Sequence, residues 1–333
     1  MKFSSSTRIA KLLGLLLALC AASAAAHALP IGTISNVTTA PCGTNYFGGS
    51  KATCTTVTVT CPGVANVRAI YGYYAPEGTS LGVVAFVNGA SDTTPGGANY
   101  LKQYLADGFA IEQIVFPTGW ESTGEIPNLK YASCRLATLL SYLQNLNPKL
   151  PYAAQAGSSA AGGVSYALAW YGFAPQVVEL SSGPVFSDIE LGCEIPKPAH
   201  QLVLPTDGAS WTDGLTYTQN TIQSMQSWTG NDTCAGDKTT SQTSDAAWKA
   251  MSIVSPGAQA SFPTTVITGW VCNNAINNSA AQAYVWFSQL TSPWSLTAMT
   301  NCDGTENIDD ATTPQGLTGL AAVTADVELN LHF

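Results

Sequence analysis

From residue 54 onward the chain alternates short β-rich runs with segments of helical spacing. Cys54 to Cys61 alternates β-branched threonine and valine, and Val67 to Tyr74 follows after a Pro62-Gly63 turn, so the pattern predicts an antiparallel hairpin. Gly82 to Val87 is a continuous apolar run, which marks a strand buried on both faces. Asn99 to Ala106 has helical spacing, Phe109 to Phe116 is a further apolar strand, and Tyr131 to Leu146 repeats apolar residues with a helical period. A strand at Pro151 to Ala156, a helix at Ala160 to Gly172 and a strand at Val177 to Ser181 continue the alternation. It resumes with Thr264 to Thr268, a helix at Ser279 to Leu290, a weak strand at Leu296 to Thr300 and a closing helix at Gln315 to Leu331. Strands alternating with helices predict an α/β fold: a mostly parallel central sheet covered by helices on both faces. Residues 185–250 break the rhythm with Thr, Ser, Gln, Asp and Trp, and are expected to form a lid insertion after the sixth strand. Residues 29–53 read as an irregular arm.

The first segment has a different pattern. Lys2, Arg8 and Lys11 precede an apolar run from Leu12 to Ala22, and Ala26-His27-Ala28 supplies a small-x-small cleavage site, so residues 1–28 read as a signal peptide. Residues 29–333 are then a single exported domain, extracellular or periplasmic. No later apolar run approaches the ~20 residues needed to span a bilayer, so no membrane span is expected.

Composition narrows the function. Of 333 residues, 46% are hydrophobic and 10% charged, which excludes an intrinsically disordered chain. Twelve basic against twenty-one acidic residues leave no basic stripe for nucleic acid, and losing the three leader cations takes the net charge from −9 to −12. Removing the leader also leaves eight of the nine cysteines, an even number that in an exported chain predicts up to four disulfides. No cysteine pair has zinc-ligand spacing, no loop carries a phosphate-binding signature, and no metal or cofactor is expected.

The strongest chemical signal is Gly157-Ser158-Ser159-Ala160-Ala161-Gly162, between a short strand and an Ala-rich helix. A nucleophile elbow needs that context, because a sharp strand-to-helix turn tolerates only small neighbours. In the Gly-x-Ser-x-Gly register the nucleophile is Ser159, with Ala161 at the second glycine. The backbone N–H of Ala160 would be one oxyanion donor at the helix N-terminus, and the loop at Asn88 and Gly89 would supply the second. The structural alternative is a Ser/Gly-rich turn that caps the helix.

The order of strands, this turn, and Phe86-Val87-Asn88-Gly89 at the presumed oxyanion strand together resemble the secreted α/β-hydrolase superfamily, the serine esterases and lipases. The resemblance implies an α/β-hydrolase fold and a Ser–His–Asp/Glu triad, with the acid after the sixth or seventh strand and the histidine after the last. The residues at those places differ. The loop after the last strand holds Asp303, Glu306, Asp309 and Asp310 but no histidine, and the loop after the seventh strand holds three asparagines and no carboxylate. Candidate bases are therefore Glu306, if its neighbours raise its basicity, His200 in the insertion, and His332 next to the C-terminus. Asp188, or Glu190, could orient a histidine. Cys272 and Cys302 lie in the two triad loops and would bridge them, Cys193–Cys234 would close the lid, and Cys42, Cys54, Cys61 and Cys134 would pair among themselves.

Two functions follow as expectations. One is a serine hydrolase acting through Ser159 on a small or polymeric carboxylic ester. The other is a catalytically degenerate member serving as a secreted binding or structural module.

Overall fold

The apolar run at residues 82–87 becomes a strand buried on both faces near the middle of a nine-stranded sheet. The structure, a computed structural model, describes residues 28–49, 52–89, 94–121, 129–189, 250–272, 279–302 and 308–332, with the backbone of 200–203 and 210–213. In chain order the strands are β1 (Thr33–Pro41), β2 (Thr53–Cys61), β3 (Val64–Tyr74), β4 (Val83–Val87), β5 (Ala110–Val115), β6 (Tyr152–Gly157), β7 (Val177–Ser181), β8 (His200–Val203), β9 (Ser210–Asp213), β10 (Val266–Cys272) and β11 (Trp294–Met299). The helices are α1 (Ala98–Ala106), α2 (Leu129–Ala132), α3 (Cys134–Leu146), α4 (Ser158–Tyr171), α5 (Ser279–Phe287) and α6 (Gly319–Leu331).

The sheet runs β1-β2-β3-β5-β4-β6-β7-β10-β11. β1, β2 and β3 pair antiparallel at one edge, and from β5 to β11 every pairing is parallel. The expected hairpin and parallel sheet are both present. Alternation along β4 assigns the layers. Val83, Ala85 and Val87 pack into the core under α3, α4 and α5, whereas Val84 and Phe86 face the layer of α1 and α6. The chain leaves β4 for β5 on one side and returns across it to β6 on the other. That reversal makes the C-terminal ends of β4 and β6 the topological switch point, where open α/β sheets hold their ligands.

Two expectations change. Residues 33–41 form β1 rather than an irregular arm, and β10 extends to Cys272 through residues assigned to a loop. β1 is an edge strand with almost every residue exposed, so it lacks the apolar alternation that marks a half-buried strand. Among the described residues, three disulfides join Cys42 to Cys54, Cys61 to Cys134 and Cys272 to Cys302. Cys42, Cys54, Cys61 and Cys134 thus pair among themselves, and the bridge between Cys272 and Cys302 is the expected one. Cys193, Cys234 and most of the insertion lie outside the described residues, and within it β8 and β9 pair as a separate antiparallel hairpin.

Under α3, a buried carboxyl is held by neutral donors. Glu112 accepts from the Tyr152 hydroxyl at 2.6 Å and from Asn147 Nδ2 at 3.0 Å. Burial pushes its pKa up to about 7, against the pull of those two donors.

Candidate active site

β6 ends at Gly157 and α4 begins at Ser158, with no loop between them. So abrupt a turn from strand into helix demands an unusual backbone, and the chain supplies it at Ser158, whose φ is 49°. A residue with a side chain held in that region costs about 1–3 kcal/mol, and such strain clusters at reactive positions. The N-cap is Gly157, so no serine side chain occupies the capping position. From Ala160 to Tyr171 every residue of α4 is buried, and the first turn is made of small residues that let the helix start against the sheet.

The strained position therefore falls one residue before Ser159, the residue expected to occupy the turn. Ala156 and Ala160, both fully buried, flank Ser158 two residues to either side, so the small-residue spacing fits Ser158 as well as Ser159. With Ser158 at the elbow, the next backbone N–H is that of Ser159, and Ala160 follows one step along the helix N-terminus.

A second left-handed serine stands beside the first. Gly157 pairs with Ser181 across β6 and β7, so Ser158 and Ser182 occupy the same level, and Ser182 has φ 51°. Its N–H donates to the carbonyl of Trp270 at 2.7 Å, tying the end of β7 to β10. Gly183 then passes so close that a Cβ there would lie 2.6 Å from Ala161 Cβ and 3.0 Å from the Ser158 carbonyl oxygen. Only glycine fits between this turn and the elbow.

The other expected residues are placed as follows. Asn88 is buried after β4, its N–H donates to the Ile114 carbonyl at 3.3 Å, and its side chain spans the following loop, donating to Thr94 O and accepting from Gly96 N–H. Asn88 is thus a brace for that loop, with Gly89 beside it. Asp188 is pinned through its backbone, its N–H donating to Gln282 Oε1 at 2.8 Å while Gln282 Nε2 donates to its carbonyl. Its charge bears on the buried Tyr166 hydroxyl, two helical turns along α4 from Ser158, where burial foremost and then Asp188 push the phenol's pKa up.

His332 lies at the other end of the sheet from Ser158. α6 runs back under the strands, and the His332 ring packs 5.6 Å from the ring of Phe109, the residue that leads into β5. The parallel strands separate it from the elbow, so the structure does not bring this histidine to the serine. His200 opens β8, its backbone pairing with Asp213; its side chain lies outside the described residues, as do Glu190 and Glu306. The Cys272–Cys302 bridge ties the end of β10 to the segment after β11. Among the described residues, no group of three or more His, Cys, Asp or Glu could hold a metal ion, and no helix is long and apolar enough to cross a membrane.

The architecture has clear counterparts among solved structures. Acetyl xylan esterase 1 from Thermoanaerobacterium sp. JW/SL YS485 superposes with a TM-score of 0.56, at 11% identity over 91% of this chain and 89% of that one. An acetyl xylan esterase from Paenibacillus sp. R4 gives 0.53, at 12% identity over 100% of this chain and 96% of that one. The chain has the α/β-hydrolase fold. No protein-family model and no curated protein matches its sequence. Ser158, with its left-handed backbone, lies directly after the C-terminal end of β6, a central parallel strand of the sheet.

Proposed function

We propose that the chain is a secreted hydrolase of carboxylic esters with Ser158 as its nucleophile. The observation that carries this reading is the left-handed backbone at Ser158, on a strand-to-helix turn at the open end of the sheet. The turn lifts the hydroxyl off the strand end and aims the N-terminus of α4 at the same point. Ser158 Oγ attacks the ester carbonyl, and its proton passes to a base. The N–H of Ser159 and the backbone at Gly89 hold the oxyanion; the ester C–O bond then breaks, the alcohol leaves with the base's proton, and water cleaves the acyl-serine to free acid and serine. The base is His200 or Glu306, with Asp188 orienting the imidazole if His200 serves. Export accords with the basic-then-apolar leader and with three disulfides, which persist in oxidising compartments.

The test is turnover of p-nitrophenyl acetate and butyrate across pH. An ester hydrolase produces saturable, serine-dependent release of p-nitrophenol. The acid limb of kcat/KM then identifies the base, falling near ~6.5 for a histidine and near ~4.3 for an unperturbed carboxylate. Release at the rate of the uncatalysed solution would leave the fold as a binding module.

A further inference from the structure

One row of side chains crosses the sheet beneath α6 without completing its hydrogen bonds. Gln155 on β6 is level with Glu179 on β7, which is level with Thr268 on β10, so all three project to one face from adjacent strands. Each is at most 2% exposed. α1 and α6 roof this face, bringing Tyr104 and Asp326 over the row.

The partners made in this layer define what is missing. Ser181 Oγ donates to Glu179 Oε1 at 2.8 Å, and Asn330 Nδ2 donates to Asp326 Oδ1 at 3.1 Å. The second oxygen of Glu179, Oε2, has no partner, nor do Gln155 Oε1 and Tyr104 OH. Thr268 and Trp270 can donate, and both lie near enough to Asp326 to favour its charged form. Glu179 Oε2 and Gln155 Oε1 are different: as a carboxylate and an amide oxygen on neighbouring strands, both only accept. Gln113, two strands away in the same row, shows the satisfied case. Its oxygen accepts from Phe47 N–H and Tyr74 OH, and its nitrogen donates to Gly96 O.

A single proton resolves the mismatch, because a carboxylic acid donates where a carboxylate cannot. We propose that this layer is a proton-binding site: Glu179 is a neutral carboxylic acid in the folded protein and donates from Oε2 to Gln155 Oε1. The titratable surroundings favour the neutral form. The titratable groups facing Glu179 are Asp326 from α6 and Tyr100 and Tyr104 from α1, with Asp309 behind Tyr100 and Glu328 near Tyr104, all acids. Burial first, and then Asp326, push Glu179's pKa well above the usual carboxylate range, while the Ser181 hydroxyl opposes them.

The site has a mechanical consequence. Gln155 lies three residues before Ser158, and Glu179 three before Ser182. The acid–amide contact therefore joins β6 and β7 just below the two strained serines. Loss of the proton sets two acceptors against each other and loosens that seam. Because the folded form holds the proton more tightly than the unfolded chain, this contribution is complete below the unfolded carboxyl pKa and is lost as pH rises through the folded one.

Glu112 and Glu328, both pushed up to about 7 by burial, produce a loss of the same sign at lower pH, so the measurement belongs above about pH 8. The experiment is infrared spectroscopy of protein labelled with 13C-carboxyl glutamate, at about pH 9, beside thermal melts from about pH 8 to 10. We expect an isotope-shifted carboxylic C=O band in the folded wild type that vanishes on unfolding and is absent in Glu179→Gln. The wild-type Tm should fall across that range more steeply than that of Glu179→Gln, whose amide donates to Gln155 at every pH. Asp326→Asn should keep the band, which also tests the assignment if Glu179→Gln folds poorly. A folded wild type with no glutamic acid band at about pH 9, or melts of the two proteins that run parallel, overturns the proposal.

Discussion

Ser158→Ala is expected to lower kcat/KM for p-nitrophenyl acetate by at least ~10³-fold, whereas Ser159→Ala should cost less than ~10-fold. The difference rests on one dihedral angle. Ser158 carries the left-handed φ of 49°, so its side chain leaves the strand end in the direction the elbow sets, and Ser159 is already inside α4. Removing the Ser158 hydroxyl removes the covalent route. Removing the Ser159 hydroxyl leaves the Ser159 backbone N–H, which is the part assigned to the oxyanion. Both serines are half-buried and alanine keeps the small volume the turn requires, so both variants should fold with wild-type circular dichroism. Kinetics of the two purified variants read the result directly. The reverse order of losses would move the nucleophile to Ser159 and make the strained turn a scaffold only.

The largest expected stability effect belongs to Cys61–Cys134. This bridge closes a loop of sequence separation 73, the longest of the three, against 12 for Cys42–Cys54 and 30 for Cys272–Cys302. Loop-closure entropy assigns the 73-residue loop about 4 kcal/mol and the 12-residue loop about 3 kcal/mol. Cys61 ends β2 and Cys134 begins α3, and both are buried, so the bond fastens the antiparallel edge of the sheet to the helix layer of α3, α4 and α5. Urea unfolding of Cys61→Ala/Cys134→Ala should show a loss of about 4 kcal/mol, larger than the loss from Cys42→Ala/Cys54→Ala. Equal losses would mean that native packing at the bridges, rather than the loops they close, sets their contribution.

Much of the fold was legible because its strands are buried on both faces. Gly82 to Val87 and Val177 to Ser181 announce themselves as apolar runs, and the turn at 157–162 stands out between a strand and an Ala-rich helix. β1 was not legible, since an exposed edge strand needs no apolar alternation. The place of the left-handed backbone in that turn was legible only to within one residue. Two serines in succession, with Ala156, Gly157, Ala160 and Ala161 around them, fit the small-residue spacing in both registers, and the backbone angle separates them. His332 followed a closing helix whose direction the pattern does not specify, and α6 carries it away from Ser158. The row of Gln155, Glu179 and Thr268 depends on strand register, which links residues over a hundred positions apart in the chain.

The central claim is that Ser158 is the activated nucleophile of an ester hydrolase. It is tested most directly by treating the native protein with a fluorophosphonate probe and locating the adduct by peptide mass spectrometry. The account predicts one phosphonylated residue, Ser158, with no labelling after heat denaturation. An adduct confined to another residue, or a native protein that takes up no probe at all, would contradict it.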